Sequence, residues 1–445
     1  MTTTRSTSSL GLDRRALLGI GAGLGAMTAV GFRTGGLVMA MQDSLQEGMT
    51  GDALPGLEAW DGLMAELMAA FGLPGGQLAI SVGDRLVYNR GYGSASPDGA
   101  EKVMPDSRFR FASVAKPFTT VAILMLVEQG KLELGTKVFP LLDYTPPAGA
   151  VVDPRIYDIT IEQLLTHSGG FNSSQTGFDP QFNPYISQTA IMLGEPSPVS
   201  PQSVILSMMG TPLAFDPGTA TQYSNFGYNL LGRVIEHITG KTYGEAMAEM
   251  VFDPIGAPGM ILGQTLLADR APREVMYMPQ IGQTIYNYPS VYEDGMFVPL
   301  AYGGYSMPVL DAHGGFIGSA EDAVKFALAV DGVRGGPLLS ADMMTTMLTA
   351  KRPPAMGAEG EAPEETGLGW VTQLDEDLGG YNWFHTGALV DTCASLLSRF
   401  GNGVTLSWVF NSLPTAYLEF FDQAIGETYA VLNRTEFPTE GNLWG

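Results

Sequence analysis

The chain has 445 residues, of which 45% are hydrophobic and 10% are aromatic, and its formal net charge is −23. This length exceeds one ordinary small core, so we expect one large two-lobed domain or two domains. The composition excludes a disordered chain, and the acidic charge argues against nucleic acid and anionic membrane surfaces as partners.

The N-terminal segment, residues 1–40, is predicted to be a twin-arginine-type export signal. Arg14 and Arg15 precede an apolar, glycine-rich stretch over residues 16–32. Small or branched residues before Ala40 place signal cleavage near that position. The stretch is at the short limit for a membrane span, so a retained anchor is the alternative. We expect an exported protein, periplasmic or extracellular, that meets a membrane only if the signal is retained.

The chain after this signal begins with a helix and several strands in close succession. Residues 57–71 have the apolar spacing of a helix, and residues 77–82 and 86–92 predict the two strands of a hairpin. Residues 108–111 alternate like a short strand and lead into an apolar helix over residues 117–127.

The middle of the chain is predicted to be mostly helical. Residues 159–166 have a helical pattern, whereas residues 172–202 are rich in Ser, Pro, Asn and Gln and predict a long loop. Residues 275–311 mix aromatic residues, Pro and Gly with little periodicity. The further predicted helices cover residues 229–239, 241–251, 320–330 and 341–349.

The C-terminal part changes character. Four strands are predicted over residues 367–373, 381–384, 390–398 and 403–410, followed by a closing helix over residues 415–433. Strands therefore lie at both ends of the chain, with helices between them. We expect an α/β fold of the α+β kind, in which residues 41–130 and 366–445 form an α/β lobe and residues 131–365 form an inserted, mostly helical lobe.

Ser113 and Lys116 form a Ser-x-x-Lys quartet at the start of the apolar helix. Lys116 is the one lysine of the chain with a serine three residues before it. Pro117 is tolerated only in a first helical turn, so the helix begins at or just after Ser113. The hydroxyl then lies at the positive end of the helix, with Lys116 beside it on the same face. A desolvated lysine there can act as a base; the alternative is a surface lysine and a chance match.

Two later patches can complete the quartet. Tyr223 and Asn225 form a Tyr-x-Asn motif, and His385-Thr386-Gly387 follows near the C-terminus. A serine, a lysine, a tyrosine and an asparagine in this order predict a covalent acyl-transfer site.

Other reactive residue types support no competing site. No His-Glu-x-x-His, His-x-His or Gly-x-Ser-x-Gly motif occurs, and one cysteine cannot build a zinc site. We therefore expect no metal and no other cofactor. Cys393 lies in a predicted buried strand, and a small buried hydrophobe is the favoured interpretation. His167, at a predicted helix end, is interpreted as a structural turn rather than a residue of the cleft.

Two further features leave alternatives open. Gly314-Gly315 either lets the backbone approach a cleft or only makes a turn. A group of aromatic residues either walls an acyl pocket or packs its own segment onto the helical lobe, and packing is favoured. This group consists of Tyr286, Tyr288, Tyr292, Phe297, Tyr302 and Tyr305.

Taken together, these motifs resemble the serine β-lactamase and DD-peptidase superfamily, in particular the branch of class C β-lactamases, D-alanyl-D-alanine carboxypeptidases and family VIII esterases. The resemblance extends from about residue 75 to about residue 433. It is carried by residues 109–118, 161–170, 215–219, 223–228, 314–315 with Ser319 and Asp322, and 385–387. It implies a mostly antiparallel sheet flanked by N- and C-terminal helices, plus an inserted helical lobe.

The resemblance also implies roles for the motif residues. Ser113 would attack a carbonyl to form an acyl-enzyme, and Lys116 and Tyr223 would share proton transfer. The phenol can act as a base only beside a lysine cation, because its ordinary pKa is near 10. Asn225 would hold a substrate amide or orient Lys116.

The strand carrying His385, Thr386 and Gly387 would lie along the cleft edge and contact the substrate. The backbone N–H groups of Ser113 and Ala388 would form an oxyanion hole. Most β-lactamases have lysine at the position of His385, where it holds a substrate carboxylate. Histidine is mostly neutral above pH 7, so we expect a weaker preference for carboxylate-bearing β-lactams.

Three functions follow from this sequence. The first is a serine hydrolase acting on small esters or amides, with no metal and no nucleic-acid partner. The second is a D-alanyl-D-alanine carboxypeptidase or class C-type β-lactamase acting on peptidoglycan-type substrates. The third is a non-catalytic penicillin-binding protein with a vestigial pocket. His385 and the aromatic group favour the first function.

Overall fold

The computed structural model describes residues 48–173, 179–357 and 367–444. The predicted export signal, residues 1–40, lies outside the described residues and stays a prediction. Within the described parts of the chain, no helix combines the length and apolar character needed to cross a membrane.

A seven-stranded antiparallel sheet joins the two ends of the chain, with strand order β1-β3-β2-β12-β11-β10-β9. Its strands are β1 (Thr50–Ala53), β2 (Gly75–Val82), β3 (Arg85–Gly93), β9 (Val371–Asp375), β10 (Gly380–Leu389), β11 (Cys393–Arg399) and β12 (Val404–Phe410). N-terminal β2 pairs with C-terminal β12 at the centre, where Leu78 lies opposite Trp408. The predicted antiparallel sheet built from both termini is confirmed.

One face of this sheet is covered by the first and last helices, α1 (Glu58–Phe71) and the C-terminal helix over Tyr417–Arg434. Apolar residues of both helices pack against alternate positions of the central strands, such as Leu78 and Trp408. The Trp408 and Phe420 rings meet edge to face at 5.7 Å. The predicted flanking of the sheet by N- and C-terminal helices is therefore confirmed.

The opposite face of the sheet packs against the helix over Ala320–Val330. Ala79 and Val409, the neighbours of Leu78 and Trp408 along their strands, point to this side. This helix falls within residues 131–365, the range predicted for the helical lobe, yet it packs on the sheet. The exact lobe boundaries stay a prediction.

The helical lobe surrounds α2 (Ala115–Glu128), which is apolar on nearly all sides and almost wholly buried. Phe118 lies at its centre and meets the rings of Phe252, Phe316 and Phe326 at 4.7–5.8 Å. The other helices, in chain order, are α3 (Val138–Leu142), α4 (Ile161–Leu165), α5 (Tyr185–Leu193), α6 (Pro201–Met208), α7 (Asn225–Thr239), α8 (Tyr243–Met247), α9 (Asp311–Gly314), α10 (Ala320–Val330, on the sheet), α11 (Ala341–Thr349) and the C-terminal α12 (Tyr417–Arg434).

The prediction of a long loop over residues 172–202 is wrong in part, because α5 and the start of α6 lie there. In α5, Ile186 and Ala190 are buried one turn apart, and the polar residues between them hid this period. The start of α6 carries ordinary helix signals: the Ser200 side chain caps it, and Pro201 occupies its first position.

The remaining strands are short and form two small sheets. β4 (Phe109–Arg110), β8 (Phe316–Gly318) and β5 (Ile261–Leu262) form a small three-stranded sheet beside α2. Within the aromatic segment, β6 (Asn287–Pro289) pairs with β7 (Phe297–Pro299).

Candidate active site

Ser113 lies in a tight turn, residues 112–114, between β4 and the first residue of α2. The preceding residue, Ala112, has a φ of +48°, a left-handed conformation that residues with a side chain rarely adopt. The turn is held in place because the Phe111 N–H donates to the Phe316 carbonyl of β8 at 3.0 Å. Ser113 is therefore presented at the helix start, as the position of Pro117 predicted.

Three of the predicted catalytic side chains converge on one point. The Lys116 Nζ lies 3.0 Å from the Ser113 Oγ, and the Tyr223 hydroxyl donates to the same Oγ at 2.7 Å. Lys116 also donates to the His313 backbone carbonyl at 3.1 Å, which fixes the amine between two partners. Tyr223 comes from the segment just before α7, 110 residues further along the chain.

Burial controls the protonation of this group. Lys116 is completely buried, and this desolvation lowers the pKa of its amine well below the ordinary value, an effect that the Asp179 carboxylate opposes. Burial also raises the pKa of the Tyr223 phenol. The two shifts favour a neutral amine and a neutral phenol, so that Lys116 can accept the Ser113 proton while Tyr223 donates to Oγ. This differs from the implied pair of a tyrosine base and a lysine cation.

His167 orients the segment that carries Tyr223. Its Nδ1 accepts from the Ser224 N–H at 3.2 Å, its carbonyl accepts from the Gln222 N–H at 2.9 Å, and its ring lies 4.6 Å from the Tyr223 ring. Burial lowers the pKa of His167 well below its usual value, which leaves Nδ1 free of a proton and able to accept. His167 has a φ of +57°, in keeping with the predicted turn. It is a positioning residue for Tyr223.

Asn225 makes a contact that the sequence did not predict. Its Nδ2 donates to the Asp179 Oδ2 at 2.7 Å, and Asp179 also accepts from the Gln181 N–H at 3.1 Å. Among the described residues, the Lys116 amine is hydrogen-bonded to the Ser113 hydroxyl and donates to the His313 carbonyl, so Asn225 does not orient Lys116 by a direct hydrogen bond. Asp179 was missed because it lies in the segment predicted as a loop, where no periodicity or motif spacing marked it.

The strand β10 runs directly beside the Ser113 turn. Gly387 lies opposite Ser395 of β11, and the Ser395 hydroxyl donates to the Phe111 carbonyl at 2.7 Å. A Cβ atom at Gly387 would lie 2.1 Å from that same carbonyl oxygen. The glycine of the predicted triplet is therefore required by the close approach of two backbones. Ala388 follows on the strand, and its role with Ser113 in an oxyanion hole stays a prediction.

This approach makes Gly387→Ala a sharp structural test. We expect the added methyl group to force β10 away from the Ser113 turn, with a loss of about 1–3 kcal/mol in the free energy of unfolding and reduced activity. Denaturant unfolding measures the first effect. Gly380→Ala is the matched control. Gly380 lies on the same strand as Gly387, and a Cβ atom there would be 3.7 Å from its nearest neighbouring atom. Equal stability of the two variants would contradict the close approach.

His385 is buried on β10, and its Nδ1 donates to the Thr386 carbonyl at 2.6 Å. Burial lowers the pKa of His385 to about 3. The imidazole is therefore neutral across the physiological range. It supplies no positive charge for a substrate carboxylate, which agrees with the sequence analysis.

The Gly314-Gly315 pair closes the other side of the Ser113 turn. A Cβ at Gly315 would lie 2.6 Å from the Asp311 Cα, and one at Gly314 would lie 3.8 Å from the Ala112 backbone. The close approach at Gly315 is to Asp311 of the same short helix, whereas Gly314 makes an ordinary contact with the Ala112 backbone, which favours the second interpretation, a turn. The His313 carbonyl just before the pair accepts from Lys116. The buried His313 ring contacts the Gln181 Nε2 at 2.6 Å.

The last candidates from the sequence are Cys393 and the group of aromatic residues. Cys393 is buried at the start of β11, where burial raises the pKa of its thiol to about 12. Tyr305 is buried and donates to the Val390 carbonyl, consistent with packing, whereas Tyr286 and Phe297 are both 65% exposed. Within the described ranges, no group of three metal-ligating side chains comes together.

A small, partly enclosed recess lies beside Tyr223. Its wall is mixed, with polar residues such as Asp179 and Asn225 beside apolar residues such as Phe171 and Met208. Its lining consists of Phe171, Asn172, Ser173, Asp179, Pro180, Met208, Tyr223, Ser224, Asn225 and Phe226. Tyr223 therefore has one side toward this recess and its hydroxyl on Ser113.

Residues 60–428 match the family model described as Beta-lactamase. The chain belongs to the beta-lactamase family. Its fold and the predicted resemblance to serine β-lactamases and DD-peptidases are thereby confirmed.

Two relatives with similar sequences differ in how much of the chain they cover. The probable fimbrial assembly protein FimD, serogroup H1, of Dichelobacter nodosus is 30% identical over 232 residues, which cover 52% of this chain and 51% of that protein. The chain thus spans about half the length of that relative. Penicillin-binding protein 4 of Amycolatopsis lactamdurans is 26% identical over 392 residues, covering 84% of this chain and 90% of that protein.

A solved structure of similar architecture is the D-amino acid amidase from Ochrobactrum anthropi SV3 complexed with L-phenylalanine amide. It superposes with a TM-score of 0.63 at 20% identity and covers 84% of this chain and 98% of that chain. At this identity the likeness establishes the beta-lactamase-type fold alone, and the chemistry is argued from the site.

Proposed function

We propose that this protein is a serine hydrolase that forms an acyl-enzyme on Ser113 and hydrolyses small esters or amides. The observation that carries the proposal is the convergence of Lys116 and Tyr223 on the Ser113 Oγ, at 3.0 and 2.7 Å. A nucleophile that is hydrogen-bonded to an adjacent base is the arrangement that acyl transfer requires.

The steps follow from the hydrogen bonds. Ser113 transfers its proton to the neutral Lys116 amine as its Oγ forms a bond to the substrate carbonyl carbon. The backbone N–H groups of Ser113 and Ala388 stabilise the oxyanion, each being worth about 3–4 kcal/mol of barrier. Tyr223 passes a proton to the leaving amine or alcohol as the bond from that group to the carbonyl carbon breaks. Water then hydrolyses the acyl-enzyme by the reverse proton path.

The similar proteins support amides as substrates, since one is an amidase and another a penicillin-binding protein. A D-alanyl-D-alanine carboxypeptidase or class C-type β-lactamase is the alternative, and it is less favoured because the neutral His385 cannot hold a substrate carboxylate by charge. A non-catalytic penicillin-binding protein is less favoured because the nucleophile and its base are in contact. Periplasmic or extracellular export belongs to this proposal as well.

Labelling with a fluorophosphonate tests the nucleophile without knowledge of the natural substrate. We expect one adduct, mapped by peptide mass to Ser113, and turnover of a p-nitrophenyl ester of a short acid. Labelling at another residue would contradict the proposal. Hydrolysis of a chromogenic cephalosporin faster than of the ester would favour the β-lactamase alternative.

Tyr223→Phe removes the hydroxyl that donates to Ser113 and keeps the ring against His167. We expect kcat for the p-nitrophenyl ester to fall by about 10²–10⁴, the range typical of proton-transfer groups. Because the ring remains, the midpoint of thermal unfolding serves as the folding control. Wild-type rates in this variant would remove Tyr223 from the mechanism.

A further inference from the structure

The side chain of Asp179 accepts two N–H donors at the edge of the active site. The Asn225 Nδ2 donates to its Oδ2 at 2.7 Å, and the Gln181 N–H donates to its Oδ1 at 3.1 Å. Hydrogen bonds of this kind stabilise the ionised form of a carboxyl group. Desolvation raises the pKa of Asp179, whereas these two bonds and the Lys116 charge act in the opposite direction. The contacts therefore favour a carboxylate at this partly buried position.

The residues that follow Asp179 lead to the Lys116 amine. Gln181 is fully buried, and its Nε2 lies 2.6 Å from the Nε2 of the His313 ring. The backbone carbonyl of that same histidine accepts from the Lys116 Nζ at 3.1 Å. The carboxylate and the carbonyl that binds Lys116 are thus held in one connected group of side chains.

Asn225 joins Asp179 to the other side of the amine. Asn225 lies two residues after Tyr223, whose ring centre is 4.7 Å from the Lys116 Nζ. The Tyr223 hydroxyl donates to the Ser113 Oγ at 2.7 Å. The bond between Asp179 and Asn225 therefore fixes the start of α7 directly beside the group that reacts.

Other titratable side chains face Lys116 from several elements, and their pKa shifts favour the neutral forms near pH 7. Burial lowers the pKa values of three histidines and raises those of two tyrosines whose rings lie within 5.6 Å of the amine. Arg352 acts by its charge on members of this set. The set consists of His167, His313, His385, Tyr223 and Tyr228. The negative charge that acts on Lys116 is that of Asp179.

Proton transfer creates a charge in this buried site. When the neutral Lys116 amine takes the Ser113 proton, it becomes an ammonium group with little access to water. A buried cation is costly unless an opposite charge lies near it. A carboxylate that is already ionised and held by N–H donors lowers this cost without moving.

We propose that Asp179 is a positioning residue whose carboxylate balances the positive charge that Lys116 gains on accepting the Ser113 proton. It also holds Asn225 at the start of α7. Asp179 forms no bond to the substrate and exchanges no proton in this step. The inference rests on the proposed function, because it assigns a partner to the base of the same serine hydrolase.

The pH profile of Asp179→Asn tests this role. Without the carboxylate, the Lys116 amine holds a proton less tightly, so it stays neutral to lower pH but is a weaker base. We expect the acid limb of kcat/KM for the p-nitrophenyl ester to move down by about one pH unit. The plateau above this limb should fall by about 3- to 30-fold. The rate of fluorophosphonate labelling at Ser113 should show the same shift.

A residue with a merely structural role would lower the plateau and leave the acid limb in place, and this result would overturn the proposal. Loss of the limb with an unchanged plateau would also overturn it, since Asp179 itself would then be the titrating group. Asp179→Glu keeps the charge, and its limb should lie close to that of the wild type. Asp216→Asn is the control for charge, because this exposed carboxylate pairs with Arg155, and it should change neither limb nor plateau.

A double-mutant cycle in denaturant unfolding separates this inference from the proposed function. Asp179→Asn should destabilise the wild type more than it destabilises Lys116→Met. The difference should grow as the pH falls through the lowered pKa of Lys116, because only the protonated amine attracts the carboxylate. Equal destabilisation at every pH would sink the inference even if the ester is hydrolysed. Absence of a fluorophosphonate adduct on Ser113 in the wild type would instead remove the proposed function, and this role with it.

Discussion

Replacement of Ser113 by alanine is expected to abolish hydrolysis of the p-nitrophenyl ester, with kcat reduced by at least about 10³-fold. The physical reason is that no other hydroxyl in the described site is shared by Lys116 and Tyr223, which both contact the Ser113 Oγ. The fluorophosphonate adduct should disappear with the activity. The two measurements are steady-state rates and intact-protein mass after labelling.

Ser173→Ala is the matched control, because Ser173 lines the recess on the other side of Tyr223 but is distant in sequence from the Ser-x-x-Lys quartet. It should keep both activity and labelling. Full activity in Ser113→Ala would reject Ser113 as the nucleophile. Loss of labelling in Ser173→Ala but not in Ser113→Ala would assign the nucleophile to Ser173 instead.

Replacement of Lys116 by methionine has the second large effect. We expect kcat to fall by about 10²–10⁴, since the variant keeps the volume of the side chain and loses the base. In the wild type, kcat/KM should fall as the pH is lowered through the depressed pKa of Lys116, because the protonated amine cannot accept the Ser113 proton. Wild-type rates in the variant would exclude Lys116 as the base.

We also expect Lys116→Met to differ from the wild type in how its stability depends on pH. Burial lowers the pKa of Lys116 below its ordinary value of 10.5, so between the lowered and the ordinary value the unfolded chain binds more protons at this group than the folded protein. The buried Lys116 therefore lowers the free energy of unfolding of the wild type by a growing amount as the pH falls through this window. The free energy of unfolding of Lys116→Met, relative to wild type, should rise as the pH is lowered from about 10.5.

Denaturant unfolding at several pH values measures this difference. Lys325→Met is the control, because Lys325 is near the surface of α10 and pairs with Glu321 at 2.7 Å. A pH-independent difference for Lys116→Met would show that the buried amine keeps its ordinary pKa.

The sequence predicted the local part of the site well. Proline tolerance and the i, i+3 spacing placed Ser113 and Lys116 together, because both rules act within one helical turn. Tyr223 was identified by the order of motifs and by resemblance, since no local rule relates residues that lie 110 positions apart. The helix α7 begins at Asn225, four residues before the predicted start, because the Ser224 side chain caps it.

The long-range contacts could not be predicted. Asp179 and Asn225 are joined by a side-chain hydrogen bond across 46 residues of sequence, and no periodicity or motif spacing relates the two positions. The protonation of Lys116 also depends on complete desolvation by residues from several elements. His167 was correctly interpreted as a turn, but its hydrogen bond to the segment of Tyr223 needs coordinates.

The central pairing of β2 with β12 joins residues that are far apart in the sequence, since Gly76 lies opposite Phe410. Contacts of such large sequence separation form slowly during folding. Ser113 and Lys116 are synthesised well before β10, the strand beside the Ser113 turn. Under the proposed acyl-enzyme mechanism, Ser113 becomes a competent nucleophile only after β10 has joined the sheet.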